Sequence, residues 1–265
     1  MIGLDLGSRT VKIVQMHNDA ITESRIYDTI AFYRRHGTEK TGKLKIDLSE
    51  LGFERNDRLV ATGYGKIMVQ VEGARHIPEI QAHVKGALFQ TGLSDFTLVD
   101  IGGQDTKVIK VRAGKMVDFM TNDRCAASSG RYLENMAAIL DLTLDELASY
   151  SEDPAELNST CAIFGETEII GKIVEGCSTG SLAAGVNYTL YRRCASMLER
   201  LNSDIIVLAG GVAQNAALGK IIARETGCKI LSLSQPQLNG AIGCCRDEQE
   251  KTAGGTHARS KCRSD

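Results

Sequence analysis

The sequence predicts a duplicated α/β fold whose two halves clamp a nucleotide phosphate tail between them. Asp5-Leu-Gly-Ser-Arg-Thr10 puts an aspartate at the end of an apolar strand, then a glycine turn, then a second strand. Asp100-Ile-Gly-Gly-Gln-Asp-Thr106 repeats that arrangement about 95 residues later, and helices and further strands follow each copy. Glycines let backbone N–H groups approach phosphate oxygens, and aspartates can hold Mg2+ through water. One such loop is weak; a pair in the same chain order is much stronger.

The bulk composition agrees. The chain has 265 residues, room for one large domain or two ordinary ones, with 43% hydrophobic and 24% charged residues. A net charge of −2 with scattered basic residues argues against a nucleic-acid partner. No apolar run approaches the roughly 18 residues of a membrane span. Met1 leads directly into a strand instead of a signal peptide, so the expectation is a cytoplasmic protein without membrane association. Eight cysteines in such a compartment are core fillers, metal ligands or redox groups.

The elements follow in order. Residues 1–6 form a buried strand, and Thr10 to His17 alternates and pairs back as a hairpin. Ala20 to Tyr27 is a third strand, and Arg58 to Thr62 another, ending in Gly63-Tyr-Gly65. Glu79 to Gln90 is a helix with Ile80, Val84, Ala87 and Leu88 on one side. The pattern then restarts with a strand at Phe96 to Ile101 and a hairpin, Thr106 to Val111 and Lys115 to Phe119, across Ala113-Gly114. Helices are expected at Ser129–Leu140, Leu142–Tyr150, Phe164–Gly176 and Leu182–Leu201. A strand at Asp204–Leu208 runs into Ala209-Gly-Gly-Val212, followed by a helix from about Gln214 to Thr226, a strand at Lys229–Leu231 and a last helix from about Asn239. These divide the chain into a first half, 1–94, completed by the helix 239–250, a second half, 95–238, and a polar, aperiodic tail, 251–265.

Asp5 and Asp100, at matching positions in the two halves, are the carboxylates expected to hold Mg2+. Lys12 has the reach to touch phosphate. Gly210 and Gly211, at a strand-to-helix turn, let the chain pass close to a ligand. His83 is expected to be structural or cleft-lining.

These residues resemble the superfamily of actin, sugar kinases and Hsp70 ATPase domains (ASKHA), a duplicated ribonuclease H-like fold with the nucleotide cleft between its halves. Asp5, Gly7, Ser8, Arg9 and Thr10 match its first phosphate loop, and Asp100, Gly102, Gly103 and Gln104 its second. Val207-Leu-Ala-Gly-Gly-Val-Ala-Gln-Asn215 matches its adenosine motif, with Asn215 expected one turn into the helix. Glu79 resembles the glutamate that orients water near the metal, and Asp105 is the alternative. The resemblance therefore implies ATP/ADP and Mg2+ as ligands.

A narrower set of motifs is similar to the 2-hydroxyacyl-CoA dehydratase activators of the BadF/BadG/BcrA/BcrD ATPase family. The motifs are Gly63-Tyr-Gly65, Asp100 to Lys107, Asn122-Asp-Arg-Cys-Ala-Ala, Gly130-Arg-Tyr-Leu-Glu134 and Cys161-Ala-Ile-Phe-Gly-Glu-Thr-Glu168. The chain departs in having Ala127-Ser-Ser-Gly130 after the first cysteine and Phe164-Gly-Glu-Thr-Glu168 after the second. The resemblance implies a homodimer holding one [4Fe-4S] cluster on Cys125 and Cys161 of each protomer. It also implies ATP-driven single-electron transfer to a partner iron–sulfur dehydratase or double-cubane cluster protein, with ferredoxin or flavodoxin as donor. Each of the two cysteines comes shortly before a helix, where the positive end of the dipole suits thiolates. A four-thiolate cluster has no Cys-x-x-Cys here, and a two-fold axis would double two ligands to four. Cys177, Cys194, Cys228, Cys244 and Cys245 are expected as small buried hydrophobes and Cys262 as a free tail thiol. The rivals are a small-molecule (sugar or acid) kinase without a cluster, and a non-enzymatic scaffold module.

Overall fold

The computed structural model describes residues 1–40, 43–48, 51–53, 58–63, 69–122, 129–158 and 162–260. These form two compact units, one of residues 1–92 with 238 onward, the other of residues 93–237.

The first unit opens with an antiparallel meander: β1 (Ile2–Leu6), β2 (Thr10–His17) and β3 (Ala20–Asp28). Next come α1 (Thr29–His36), β4 (Gly37–Lys40), β5 (Lys43–Ile46), β6 (Leu59–Gly63), β7 (Val69–Val71), β8 (Arg75–His76) and α2 (Glu79–Thr91). The final helix, α8 (Asn239–Ser260), belongs to this unit too. The main sheet has the order β3-β2-β1-β6-β8, with β6 parallel to β1 and β8 parallel to β6. Strand alternation sorts its faces. Ile2, Leu4 and Leu6 of β1, with Val11 and Ile13 of β2, pack with Phe32 of α1 and with Ile46, Val69 and Val71 of the small β4-β5-β7 sheet. Val14 and Met16 point the other way, against Leu238, Ala241, Ile242 and Cys245 at the start of α8. Asp5 and Lys12 share that second parity.

Sequence periodicity did not reveal α1 or the small sheet. The helix is short and largely polar, started by Asp28, whose side chain accepts the Ala31 N–H. Helix α8 runs to Ser260, ten residues into the segment expected as a tail. Once a helix is nucleated, each added residue gains a backbone hydrogen bond without needing an apolar face.

The second unit repeats the plan. The meander β9 (Phe96–Ile101), β10 (Thr106–Arg112) and β11 (Lys115–Thr121) is followed by α3 (Gly130–Ile139), α4 (Leu144–Leu147), α5 (Ala162–Val174) and α6 (Thr179–Leu201). Then come β12 (Ile205–Ala209), a 3-10 turn (Gly211–Gln214), α7 (Ala216–Thr226) and β13 (Lys229–Ser232). The sheet order is β11-β10-β9-β12-β13, with two antiparallel pairings and then two parallel ones, as in the first unit. The core gathers Val99 and Ile101 of β9 with Leu133 and Met136 of α3, Leu190 of α6 and Ile222 of α7. The duplicated ribonuclease H-like topology is present as expected.

Helix α4 is shorter than the expected Leu142–Tyr150. A Thr143–Glu146 capping box starts it late, and the buried Asn187 amide takes the Leu147 and Tyr150 carbonyls in place of further helical bonds. The duplication reaches single residues. Gly63, the last residue of β6, and Gly210, just after β12, have φ of +106° and +81°, and a Cβ at either would lie within 2.5 Å of the carbonyl oxygen closing the neighbouring strand, that of Leu6 or Ile101. Among the described residues, no helix is long and apolar enough to cross a membrane.

A buried carboxylate locks α8 onto its unit. Asp247 accepts from Arg75 of β8 at 2.6 Å and from Gln81 of α2 at 2.7 Å, and lies 3.0 Å from Lys85 of α2. Burial pushes its carboxyl up, but the hydrogen bonds and charges of Lys85 and Arg75 outweigh this and hold it below its ordinary 3.8. A depressed carboxyl contributes stability above its unfolded pKa and loses it as pH falls through the folded one. Asp247→Asn should therefore lower stability at neutral pH and flatten its decline below about pH 4, measured by urea unfolding at a series of pH values.

Candidate functional site

Each unit carries a candidate site built on its first hairpin. In the first, Asp5 lies opposite Lys12 in the β1–β2 register, and the Lys12 ammonium reaches the Asp5 carboxylate at 3.1 Å. The loop between them is braced from α1. The Thr29 hydroxyl donates to the Gly7 carbonyl at 2.7 Å, and the Thr29 N–H donates to the Arg9 carbonyl at 3.2 Å. Ser8 and Thr10 are half-buried, whereas Arg9 turns outward to pair with Asp28 at 2.6 Å. The Arg9 guanidinium is thus engaged at the surface. Burial and the Asp5 charge together push the Tyr33 hydroxyl up to about 12.

Glu79 is the first residue of α2, preceded by Pro78 without a side-chain cap. His83 follows one turn later and is buried, its Nε2 4.0 Å from Glu79 Oε1. Gly240 of α8 closes this group: a Cβ there would stand 3.1 Å from both Asp5 Oδ2 and His83 Nε2. Asp5, Glu79 and His83 thus converge in one unit, as sequence distance alone does not reveal.

In the second unit, Asp100 lies opposite Lys107 in the β9–β10 register, the same seven-residue offset as Asp5 and Lys12. The Lys107 ammonium sits 3.6 Å from Asp100 and 3.0 Å from Asp105. Asp105 is therefore held in an ion pair with Lys107, whereas Glu79 lies beside His83. The turn is closed by the Gly102 N–H donating to the Asp105 carbonyl at 2.9 Å, with Gly103 and Gln104 half-buried at its tip. The Gly102 carbonyl in turn accepts the N–H of Gly130, the first residue of α3, at 2.9 Å. Gly210 brings the chain against the Asp100 side chain, and Gly211 begins the 3-10 turn.

Asn215 differs from expectation. It is the N-cap of α7, not a residue one turn inside it. Its Oδ1 accepts the Leu218 N–H at 3.0 Å, and its Nδ2 donates to Asn187 Oδ1 at 2.9 Å. The side chain serves a buried amide chain that ties α7 to α6 and α4. The strand-to-helix turn consumes four residues as 3-10, which moves the cap to Asn215.

Lys107 was part of the second motif but carried no role in the sequence reading; the matching offset from each aspartate was the available signal. Asn239 and Gly240 had no local signal, because only the packing of α8 on β1 and α2 brings them here. Cys125, Cys161 and Cys262 lie outside the described residues. Of the other cysteines, Cys194, Cys244 and Cys245 are core residues, whereas Cys177 and Cys228 are only half-buried. Burial pushes the Cys194 thiol up to about 12 and the Cys244 thiol well above its ordinary value. Neither has the character of a thiolate ligand.

The profile of the BadF/BadG/BcrA/BcrD ATPase family matches residues 2–245. The chain is 34% identical over 255 residues to the 2-hydroxyisocaproyl-CoA dehydratase activator of Clostridioides difficile, covering 91% of this chain and 92% of that one. It is 34% identical over 254 residues to the activator of lactoyl-CoA dehydratase of Anaerotignum propionicum, covering 91% and 94%. The solved structure of the Clostridium difficile activator of the 2-hydroxyisocaproyl-CoA dehydratase, with bound ADPNP, superposes with a TM-score of 0.81 at 30% identity, covering 100% of this chain and 98% of that one. MreB 5 of Spiroplasma citri, at 15% identity and a TM-score of 0.56, shares the fold alone.

The Lys107 side chain is 6% exposed and that of Lys12 17%. Removing one partner of a buried ion pair costs about 3–5 kcal/mol. Lys107→Met should fall in that range by urea unfolding, and Lys12→Met should cost less.

Proposed function

Because the chain belongs to the BadF/BadG/BcrA/BcrD ATPase family, we propose that it is an ATP-hydrolysing electron donor that activates a partner iron–sulfur enzyme. The partner is a 2-hydroxyacyl-CoA dehydratase or a double-cubane cluster protein, and ferredoxin or flavodoxin reloads the donor. The observation that carries the reading is the 34% identity to two dehydratase activators over about nine-tenths of each chain.

The chain's own residues take the following parts. The loops after β1 and β9 bind nucleotide phosphates through backbone N–H groups, using Gly7, Ser8 and Thr10 in one unit and Gly102, Gly103 and Gln104 in the other. Asp5 and Asp100 hold Mg2+ through water, each oriented by its own lysine. Glu79 orients the attacking water. Gly210 and Gly211 admit the adenosine.

Cys125 and Cys161 of two protomers provide the four thiolates for one [4Fe-4S] cluster, which when bound supplies a one-electron carrier. Helix α5 begins at Ala162, directly after Cys161 in the chain, so its positive end favours a thiolate there. The hydrogen bond from Gly130 to Gly102 supports the coupling: it ties the second phosphate loop to the start of α3, five residues after Cys125. A loop that takes one position with ATP and another with ADP would carry the N-terminus of α3 with it. This requires the two nucleotides to bind the two positions with different affinity.

Protein purified without oxygen should be brown and contain four iron and four sulfide per dimer, the stoichiometry of one such cluster. Colourless, iron-free protein that phosphorylates a sugar would instead establish the kinase alternative. Cys125→Ser should lose the iron and keep nucleotide affinity; loss of both would make the cysteine structural. Glu79→Gln should lower ATP turnover by about 10²-fold or more, with nucleotide affinity retained.

A further inference from the structure

A hydrogen-bond chain runs through the first unit from the end of α2 to its start by way of α8. The Asn239 Nδ2 lies 2.9 Å from the His83 carbonyl oxygen and 3.4 Å from His83 Nδ1. A backbone carbonyl can only accept, so the atom facing it is the amide nitrogen, and the orientation of the Asn239 side chain follows from chemistry. Its Oδ1 is then the atom that accepts from Gln90 Nε2, at 3.0 Å. The second N–H of the same amide points to Nδ1, which must accept. An imidazole that accepts at Nδ1 carries its proton on Nε2.

We infer that Asn239, itself held by Gln90, fixes His83 as the Nε2–H tautomer, and that His83 is thereby a positioning residue that orients the Glu79 carboxylate. The inference rests on the assignment of Glu79 as the residue that orients water. His83 is buried, and its Nε2–H faces Glu79 Oε1 at 4.0 Å. That is longer than a hydrogen bond, and a small side-chain rotation of the half-exposed glutamate closes it. Asp5 Oδ2 lies on the same side, since a Cβ on Gly240 would stand 3.1 Å from both it and His83 Nε2. An Nε2–H offers Glu79 a proton; the opposite tautomer would aim a lone pair at it. In this arrangement His83 acts through Glu79. Residues of this kind change activity by about 10–100-fold when removed, as measured for partners that orient metal ligands.

Nitrogen-15 spectra of the histidine side chains, assigned by loss of the His83 signals in His83→Gln, report the tautomer directly in the full-length protein. The expected result is Nε2–H. An Nδ1–H tautomer overturns the inference and leaves the role of Glu79 intact. In steady-state ATP hydrolysis, His83→Ala should lower kcat about tenfold with KM for ATP unchanged. His83→Gln, whose amide N–H can take the place of Nε2–H, should restore most of it. Equal loss in both variants with intact folding overturns the inference. Turnover at the wild-type level in Glu79→Ala would overturn the role of Glu79, and the inference with it.

Discussion

Each unit depends on an aspartate buried at the end of its first strand and answered by a lysine directly across the hairpin. A carboxylate removed from water is expensive unless it is paired. Asp5 with Lys12 and Asp100 with Lys107 meet that cost in the same way, through the same antiparallel register. The pairing needs the hairpin to return without slipping, since a shift of one residue would send each lysine to the opposite face. It also needs the glycine turn between the strands, and a parallel neighbour whose chain can leave close by, as Gly63 and Gly210 allow. The sheet order, the turn and the two exit glycines are therefore one constraint expressed twice.

The two units meet the constraint with different surroundings. In the first, α8 returns from the far end of the chain to lie over β1 and against α2, held by the ion pairs of Asp247. It brings Asn239 and Gly240 to Asp5 and His83. In the second, Lys107 serves two carboxylates, and the phosphate loop is bonded to the start of α3. The glutamate proposed to orient water therefore belongs to one unit, and the hydrogen bond between the glycine turn and α3 belongs to the other. Duplication supplied the scaffold; divergence on the helical side supplied the two different surroundings.

Much of this was legible residue by residue. Strand periodicity and the two aspartate–glycine turns sufficed for both meanders, because a period of two leaves one choice of face. The cysteine motifs narrowed the family. The polar segment after β3 escaped notice because α1 and its small sheet bury few residues each and show no sustained period. The length of α4 escaped because the Asn187 side chain takes the carbonyls that a longer helix would have used. Arg9 and Asn215 sit inside the motifs that point to ligand, yet the fold gives their side chains other partners, Asp28 and Asn187.

By itself the sequence determined the duplicated topology, the positions of the two aspartate–glycine turns and the family. All three are written in local patterns of apolar residues, glycines and aspartates separated by a few positions. The tertiary structure decided which charged groups meet: Lys107 between Asp100 and Asp105, Asp247 against Arg75 and Lys85, and Asn239 against His83. Those last two contacts join residues more than 150 positions apart, at the two ends of the chain. A local pattern carries no information about such partners. They follow only once burial of α8 against the sheet has brought the ends of the chain together, and burial then requires every polar group caught there to find a partner.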